Sequence, residues 1–508
     1  MVRVDEIRDF GTLKQAAQLL ETAVSKLQSE NAKLKLEIAL RDGKARAVEQ
    51  TTILEEELAK LKAAHFGASS EKRPHKGGDE SSKDGEDKKA KGQEGHGPTP
   101  QPRLPIEETT YEIDAGDEIC PDCGEPRKTK DGLTQESEII TVVGVEFKLE
   151  KVTQLIYGCS CPEALFTAPG PDRVIPGGRY SLEFAAFCAA QKYLDHMPLA
   201  RQQRMMDRKG LEITRSAIWD QIEALARYLE PTWQAIHDYA LGADWVQCDE
   251  TRWPMLGGPG SIKWWTWCVA TDDAVYYDIH THRSAKAAKA MLKDFSGVVV
   301  SDGYSAYDKA IGKNSKIQRA HCWAHVRRKF LEAEASYPEE VKKPIKWIQE
   351  LFMIERQVPK LARGAPLAER EKVFEIRKKL RKEKSQQIID NLRDWAYDIL
   401  PALLPSTGLA KAVNYMLNLW PGLILFLKDP KVPLDNNAAE RALRGPVVGR
   451  KNHYGSKTKR GTVVAAIFYS LFESAKLAGV DPEAYVLEAA RRAARCAGTV
   501  TLPADLVS

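Results

Sequence analysis

The chain has 508 residues, 43% of them hydrophobic and 29% charged, with a formal net charge of +4. That length exceeds what one hydrophobic core serves, so several domains are expected, and so small a net charge says little about a polyanionic partner. The sequence reads as cytosolic, because no apolar run reaches the roughly 18 residues of a membrane span and Met1-Val-Arg-Val-Asp-Glu6 lacks a signal peptide's apolar stretch.

Leu13, Leu20, Leu27 and Leu34 fall seven apart, each followed four residues on by Ala17, Val24, Asn31 and Ile38. This heptad, with Leu at d and one Asn at a, predicts a parallel two-stranded coiled coil over 1–66; an amphipathic helix packed on its own chain is the alternative. Gly43 interrupts it before Leu54, Leu58 and Leu61 resume. From Glu71 to Arg103 the composition falls to Lys, Asp, Glu, Gly, Ser and Pro, which predicts a disordered charged linker at 67–106.

Of the nine cysteines, four form two tight pairs. Cys120-Pro-Asp-Cys123-Gly124 and Cys159-Ser-Cys161 flank strand-like alternation from Glu138 to Ile156. In a reducing compartment such pairs favour a structural Zn²⁺ over disulfides, giving a zinc-ribbon-like β module at 107–172; four unrelated thiols are the alternative. The second pair has one intervening residue instead of two.

Residues 173–232 read as three helices. The first is capped by Ser181, the second opens at Met197-Pro198 and runs to Lys209, and the third spans Thr214 to Arg227 after a turn at Gly210. Helix, glycine turn, helix is the outline of a DNA-binding helix-turn-helix, with Arg215, Ser216, Trp219 and Gln221 on its recognition helix; many small helical domains share it.

At 233–330 comes a different pattern. Val246-Gln-Cys-Asp-Glu-Thr251 reads as a buried strand carrying Asp249, and Trp264 to Ala270 as a second strand. An Asp272-Asp273 turn precedes a third, Ala274 to Ile279. A helical run from Ser284 to Phe295 leads into Val298-Val-Val-Ser-Asp302, and a fifth strand is expected near Ile317. Three strands, a helix and a strand, with acids near the ends of the first and fourth strands, is the layout of a ribonuclease-H-like sheet. There the two acids face each other and can hold a divalent cation. Strand alternation points Glu250 to the opposite face.

His321 and His325 in His321-Cys-Trp-Ala-His-Val-Arg-Arg328 would share a face on a helix, for packing or phosphate contact, a metal pair being the alternative. Residues 331–427 read as a helical insertion punctuated by prolines. Val432 to Arg444 then predicts a helix capped by Asp435 or Asn436, on which Glu440 looks inward near Leu443 and could complete a metal site; Asp435 is the rival ligand. Seven Lys or Arg and no acid follow between Arg441 and Arg460. Such a stripe beside an acidic site suits a phosphate backbone.

These motifs in this order resemble the insertion-sequence-66 family of transposases. They include Phe66-Gly-Ala-Ser-Ser-Glu-Lys72, the paired cysteines, Pro198-Leu-Ala-Arg201, Cys248-Asp-Glu-Thr251 and Ser301-Asp-Gly-Tyr304. His321 to Phe330, Asp435 to Arg444 and Ser470-Leu-Phe-Glu-Ser-Ala-Lys476 complete the set. The resemblance implies a multidomain α+β protein whose catalytic core spans 233–330 and 428–460, followed by a C-terminal helical region at 461–508. It implies a catalytic triad of Asp249, Asp302 and Glu440 holding two Mg²⁺ or Mn²⁺ ions for strand cleavage and strand transfer. His321, Arg327, Arg328, Arg441, Arg444, Arg450 and Lys451 are the expected backbone contacts to double-stranded DNA. Further expectations are a homo-oligomer through the coil, two small accessory proteins of the same element, and a bacterial, nucleoid-associated location. A nuclease that cuts without joining and a non-catalytic repressor are the alternatives.

Overall fold

The computed structural model describes residues 171–256, 262–312, 316–361 and 365–507, with Glu56 and the stretches 146–148, 156–158 and 165–167. The expected coil (Glu56 apart), the linker, and Cys120, Cys123, Cys159 and Cys161 lie outside the described residues.

Two short strands, β1 (Ile156–Gly158) and β2 (Leu165–Thr167), pair antiparallel. Three helices come next: α1 (Leu182–Tyr193), α2 (Leu199–Arg208) and α3 (Arg215–Leu241). Ser181 caps α1 by accepting the Phe184 N–H, and Thr214 caps α3 by accepting that of Ala217. Gly210 supplies the turn between α2 and α3 at φ +81°, where a side chain would be strained. The third helix runs beyond its expected end at Arg227, through Pro231, because Leu229, Trp233, Ile236 and Ala240 continue the apolar spacing and are buried. These helices pack onto the main sheet and do not stand apart from it. Trp233 Nε1 donates to the Tyr277 carbonyl, and His237 stacks on Tyr276 with ring centroids 3.8 Å apart.

The sheet comprises β3 (Trp245–Met255), β4 (Ile262–Ala270), β5 (Val275–His280), β6 (Val298–Ser301) and β7 (Gln318–His321). Helix α4 (Ala285–Leu292) precedes β6 and α5 (Ser305–Ile311) follows it. Strand order is β5-β4-β3-β6-β7, antiparallel from β5 to β3 and parallel from β3 to β7. Alternation along β6 divides the core: Val299 faces one apolar cluster, Val298 and Val300 the other.

After β7 the chain is helical: α6 (Trp323–Ala333), α7 (Pro338–Glu355), α8 (Leu367–Leu380), a π-helical turn at Arg381–Ser385, α9 (Gln386–Ile399) and α10 (Gly408–Asn418). The insertion expected from the sequence is thus helical, with its own apolar core under β6 and β7. Glu56 reaches it, accepting the Gly408 N–H at the start of α10. Then come α11 (Asn437–Ala442), α12 (Arg444–His453), α13 (Lys459–Ala478) and α14 (Pro482–Arg495).

Helix α13 covers the edge of the sheet. Ser474 and Ser470 hydroxyls accept the Val275 and Tyr277 N–H groups of β5 at 3.0 and 2.9 Å, satisfying donors that an edge strand otherwise leaves bare. By length and composition alone α13 could cross a membrane, but most of it is buried inside the protein.

Candidate active site

Asp249 lies on β3, two residues beyond the last β3–β6 pair, Gln247↔Val300; Asp302 lies two residues beyond Val300 and directly follows β6. Parallel register therefore sets the two acids side by side at the end of β6. The Asp302 backbone is fixed by Arg319, whose guanidinium donates to the Asp302 carbonyl at 2.7 Å. Gly303 is needed next, because a Cβ there would sit 2.9 Å from the Tyr415 ring of α10.

The third acid arrives on α11, and the start of that helix is fastened to the sheet. Gln247, buried within an apolar strand, uses both ends of its amide: Nε2 donates to the Asp435 carbonyl, and Oε1 accepts the Ala438 and Ala439 N–H groups. Asn436, also buried, donates through Nδ2 to the Cys248 carbonyl at 2.9 Å, and its N–H points at Cys322 Sγ. Trp323 N–H donates to the Leu434 carbonyl. Glu440 then sits one turn into α11, its Oε1 3.6 Å from His325 Nε2 and its Oε2 3.9 Å from Arg328.

Burial first, then the charges of Glu250, Asp302 and Glu440, push the Asp249 carboxyl up to about 7, against the pull of the Glu250 N–H. The three carboxylates thus act on one another through their charges, although their oxygens do not all come within 4.8 Å of one another. Glu440 Oε1 is buried without a hydrogen-bond partner. A hard divalent cation suits both observations, since it neutralises clustered carboxylates and binds through oxygen.

Single ligand atoms of Cys322, His325 and Glu440 do lie within 4.8 Å of one another. Burial raises the Cys322 thiol to about 12, which makes it a neutral acceptor for Asn436 and a poor thiolate ligand.

Several expected contacts are placed differently. His321 ends β7 while His325 lies on α6, so the two do not share a helical face. Burial, and next Arg319, hold the His321 imidazole near 4, so at neutral pH it carries no charge for a phosphate. Gln221, expected on a recognition surface, is buried one turn after Ile218 on the inward face of α3, whereas Arg215 and Ser216 are exposed. Arg450 is held inward by Thr251 Oγ1 and the Arg252 carbonyl, and Arg460 by Glu223 and Glu230. Arg441, Arg444 and Lys451 are exposed, and Arg327 is half-buried. Asp435 accepts the Asn437 N–H and side-chain amide, which gives it work at the helix start. Glu250 does turn to the opposite face, where Arg283 and the Tyr307 hydroxyl donate to it at 2.6 and 2.7 Å.

Gln247 was not singled out from the sequence; its one signal was an amide inside an apolar strand. Replacing it by Leu leaves two buried N–H groups bare, a penalty of about 1–3 kcal/mol each. It should free the start of α11 and slow any chemistry at Glu440 by about 10²-fold, the scale of a 1 Å misplacement. Turnover together with amide exchange at Ala438 and Ala439 checks this; unchanged turnover would exclude Gln247 as the residue that positions Glu440.

Asp249 supplies a second test. Folded, it keeps its proton to about pH 7, whereas its ordinary value is 3.8, so its stabilising contribution is complete below 3.8 and lost as pH rises toward 7. The melting temperature is expected to fall across that window. Asp249→Asn should flatten the fall, and Mg²⁺ should raise the wild-type melting temperature above pH 7 more than that of Asp249→Asn. Calorimetry across pH, with and without Mg²⁺, measures both.

A mixed sheet with one acid within its central strand and another just past the end of the adjacent parallel strand defines the class: an α+β protein with an acidic centre. The sequence model of the Transposase IS66 family matches residues 177–463, more than half of the chain, and the protein belongs to that family. Relatives in Sinorhizobium fredii are named only as uncharacterized proteins. The chain is 28% identical to y4jD over 70% of its own length and 71% of y4jD's, and 29% identical to y4hP over 74% and 70%. It is 30% identical to y4qI over 72% and 69%.

Proposed function

We propose that this protein is the catalytic transposase of an insertion element, cleaving DNA at the element ends and joining them to a target. Its sheet is read as ribonuclease-H-like, with Asp249, Asp302 and Glu440 as the acids that hold Mg²⁺ or Mn²⁺. The observation that carries the reading is the electrostatic coupling of Asp249 on β3 to Asp302 past β6 and Glu440 on α11, which with burial pushes Asp249 up to about 7.

A bound divalent cation supplies charge neutralisation at phosphorus and an activated water or 3′-hydroxyl. The chain's own groups do the rest. Gln247 and Asn436 hold Glu440 in register with the sheet, and Arg319 holds the Asp302 backbone. Arg328 stands beside Glu440, and the exposed Arg441, Arg444 and Lys451, on the helices α11 and α12, offer cations to the DNA backbone. No protein–DNA covalent bond is needed, so no nucleophilic side chain is assigned.

The test is incubation of the purified protein with a labelled element end and Mg²⁺, mapping the cut, followed by strand transfer of pre-cleaved ends. Cutting and joining support the reading. Cutting without joining makes the protein a nuclease, and binding without either makes it a repressor.

A further inference from the structure

Past Gln247, where β6 stops pairing, β3 and β4 continue together, with β5 alongside as far as Trp265 and then as a two-stranded arm to Met255 and Ile262. One face of this arm is covered: Trp253 is buried against His453 and Tyr469, and Arg450 lies on Thr251. The other face presents Arg252 from β3 with Lys263 and Trp265 from β4, Arg252 lying directly across from Trp265. Arg252 and Lys263 are exposed and Trp265 is half-buried.

Cations and rings alternate along this face, which is that of Glu250 and opposite to that of Asp249, toward Asp302 past the end of β6. The Arg252 guanidinium lies 5.7 Å from the Trp265 ring centroid, and that of Arg283 lies 5.3 Å from the same ring and 3.9 Å from the Tyr304 ring. Tyr304 N–H is bonded to Asp302 Oδ1 at 2.9 Å, and Arg283 comes within 4.0 Å of Asp302 Oδ2. The ladder thus ends on one of the three acids. Glu250 accounts for Arg283, whose guanidinium it binds. It does not account for Arg252 or Lys263, which no carboxylate pairs among the described residues.

We infer that this ladder is a docking track for an unpaired DNA strand leading to the acidic centre, with bases stacked on Trp265 and phosphates held by Arg252 and Lys263. A duplex keeps its base faces inside its own stack and cannot offer them to a ring; an unpaired strand can, and every base has such a face. The positive charge complements the strand, and the continuity from Trp265 through Arg283 and Tyr304 to Asp302 gives the track its direction. The inference rests on the proposed role of Asp302 in DNA chemistry.

The experiment is fluorescence anisotropy of the full chain with a labelled oligothymidylate and, separately, a blunt duplex of equal length, in chelator so that nothing is cut. Trp265→Ala is expected to weaken strand binding about tenfold, as loss of one stacking platform does, and to leave duplex binding nearly unchanged. Trp265→Phe should keep strand binding. Should Trp265→Ala fail to fold, the Arg252→Ala/Lys263→Ala protein carries the test, with a loss confined to the strand expected. Unchanged strand affinity, or an equal loss for strand and duplex, overturns the inference. The transposase reading is judged separately by cutting in Mg²⁺. Normal cutting with unchanged strand affinity in the variants removes the track alone, whereas selective strand binding without cutting removes the transposase reading and leaves the track.

Discussion

Glu440→Ala, made in parallel with Asp249→Ala and Asp302→Ala, is expected to lower strand cleavage and joining by about 10³-fold or more while DNA binding persists. The expectation rests on how the three are held. Asp249 on β3 and Asp302 just past β6 are placed by adjacent parallel strands whose register is set by Trp245↔Val298 through Gln247↔Val300. Glu440 is the only one brought in from outside the sheet, on a helix whose first turn is bonded to Gln247. Removing its carboxylate takes the anion from beside His325 and Arg328, removes one of the three proposed cation ligands, and deletes one of the charges that raise Asp249. Asp435→Ala is the control. It removes a contact to the Asn437 N–H and should disturb the helix start, with a far smaller loss. Single-turnover cleavage of a labelled end, with gel-shift binding alongside, separates chemistry from affinity. Wild-type cleavage by Glu440→Ala would remove that residue from the acid set.

The largest effect on stability is expected at Arg381. Its side chain is 1% exposed and lies at the π-helical turn between α8 and α9. There it makes a bidentate pair with Glu355, with Nε and one terminal nitrogen donating at 2.7 and 2.9 Å. The same guanidinium donates to the carbonyls of Phe426, Asp429 and Val432. Arg381→Ala removes the cation, leaves Glu355 only the longer contact to Arg377 at 3.6 Å and takes the donor from the Phe426 and Val432 carbonyls, a change costing about 3 kcal/mol. Arg381→Lys should recover little, because one ammonium cannot span a carboxylate and three carbonyls in the geometry of a fork. Urea unfolding followed by tryptophan fluorescence measures this; a loss below about 1 kcal/mol would mean that the pair is as weak as a surface one. Residues 426–432 run directly into the segment that carries Glu440, so the same variant should also lose cleavage.

Much of this was legible in the residues. Strands β3 to β6 announced themselves as apolar runs broken by the Asp272-Asp273 turn, and the acids at Asp249 and Asp302 fell where those runs end. The helix bearing Glu440 was signalled by the polar Asp435-Asn436-Asn437 ahead of an alanine-rich turn. What escaped was non-local. The arm of β3 continues through Pro254, which reads as a breaker; beyond Gln247 no β6 partner needs its N–H, and an edge position tolerates proline. The reach of Gln247 to Ala438 spans 191 residues, and no spacing rule detects such a bond. The helix-turn-helix outline was present in local form, but helical periodicity cannot say that α3 continues into the core of the sheet, nor that Gln221 is inside. The proximity of His325 to Glu440 was equally out of reach, because it depends on where the insertion returns the chain.

The serines of α13 that close β5 have a consequence for how the protein comes into being. Edge donors at Val275 and Tyr277 wait for a helix made some two hundred residues later, and the acid on α11 waits nearly as long. During synthesis the early part of the sheet therefore emerges with an open flank and an incomplete acid set. A product that stops short of those late segments has the strands but lacks Glu440, and exposes an adhesive edge that chaperones and proteases recognise. The order of the elements along the polypeptide thus delays closure of the β5 edge, and the arrival of Glu440, until some two hundred residues after the first strands are made.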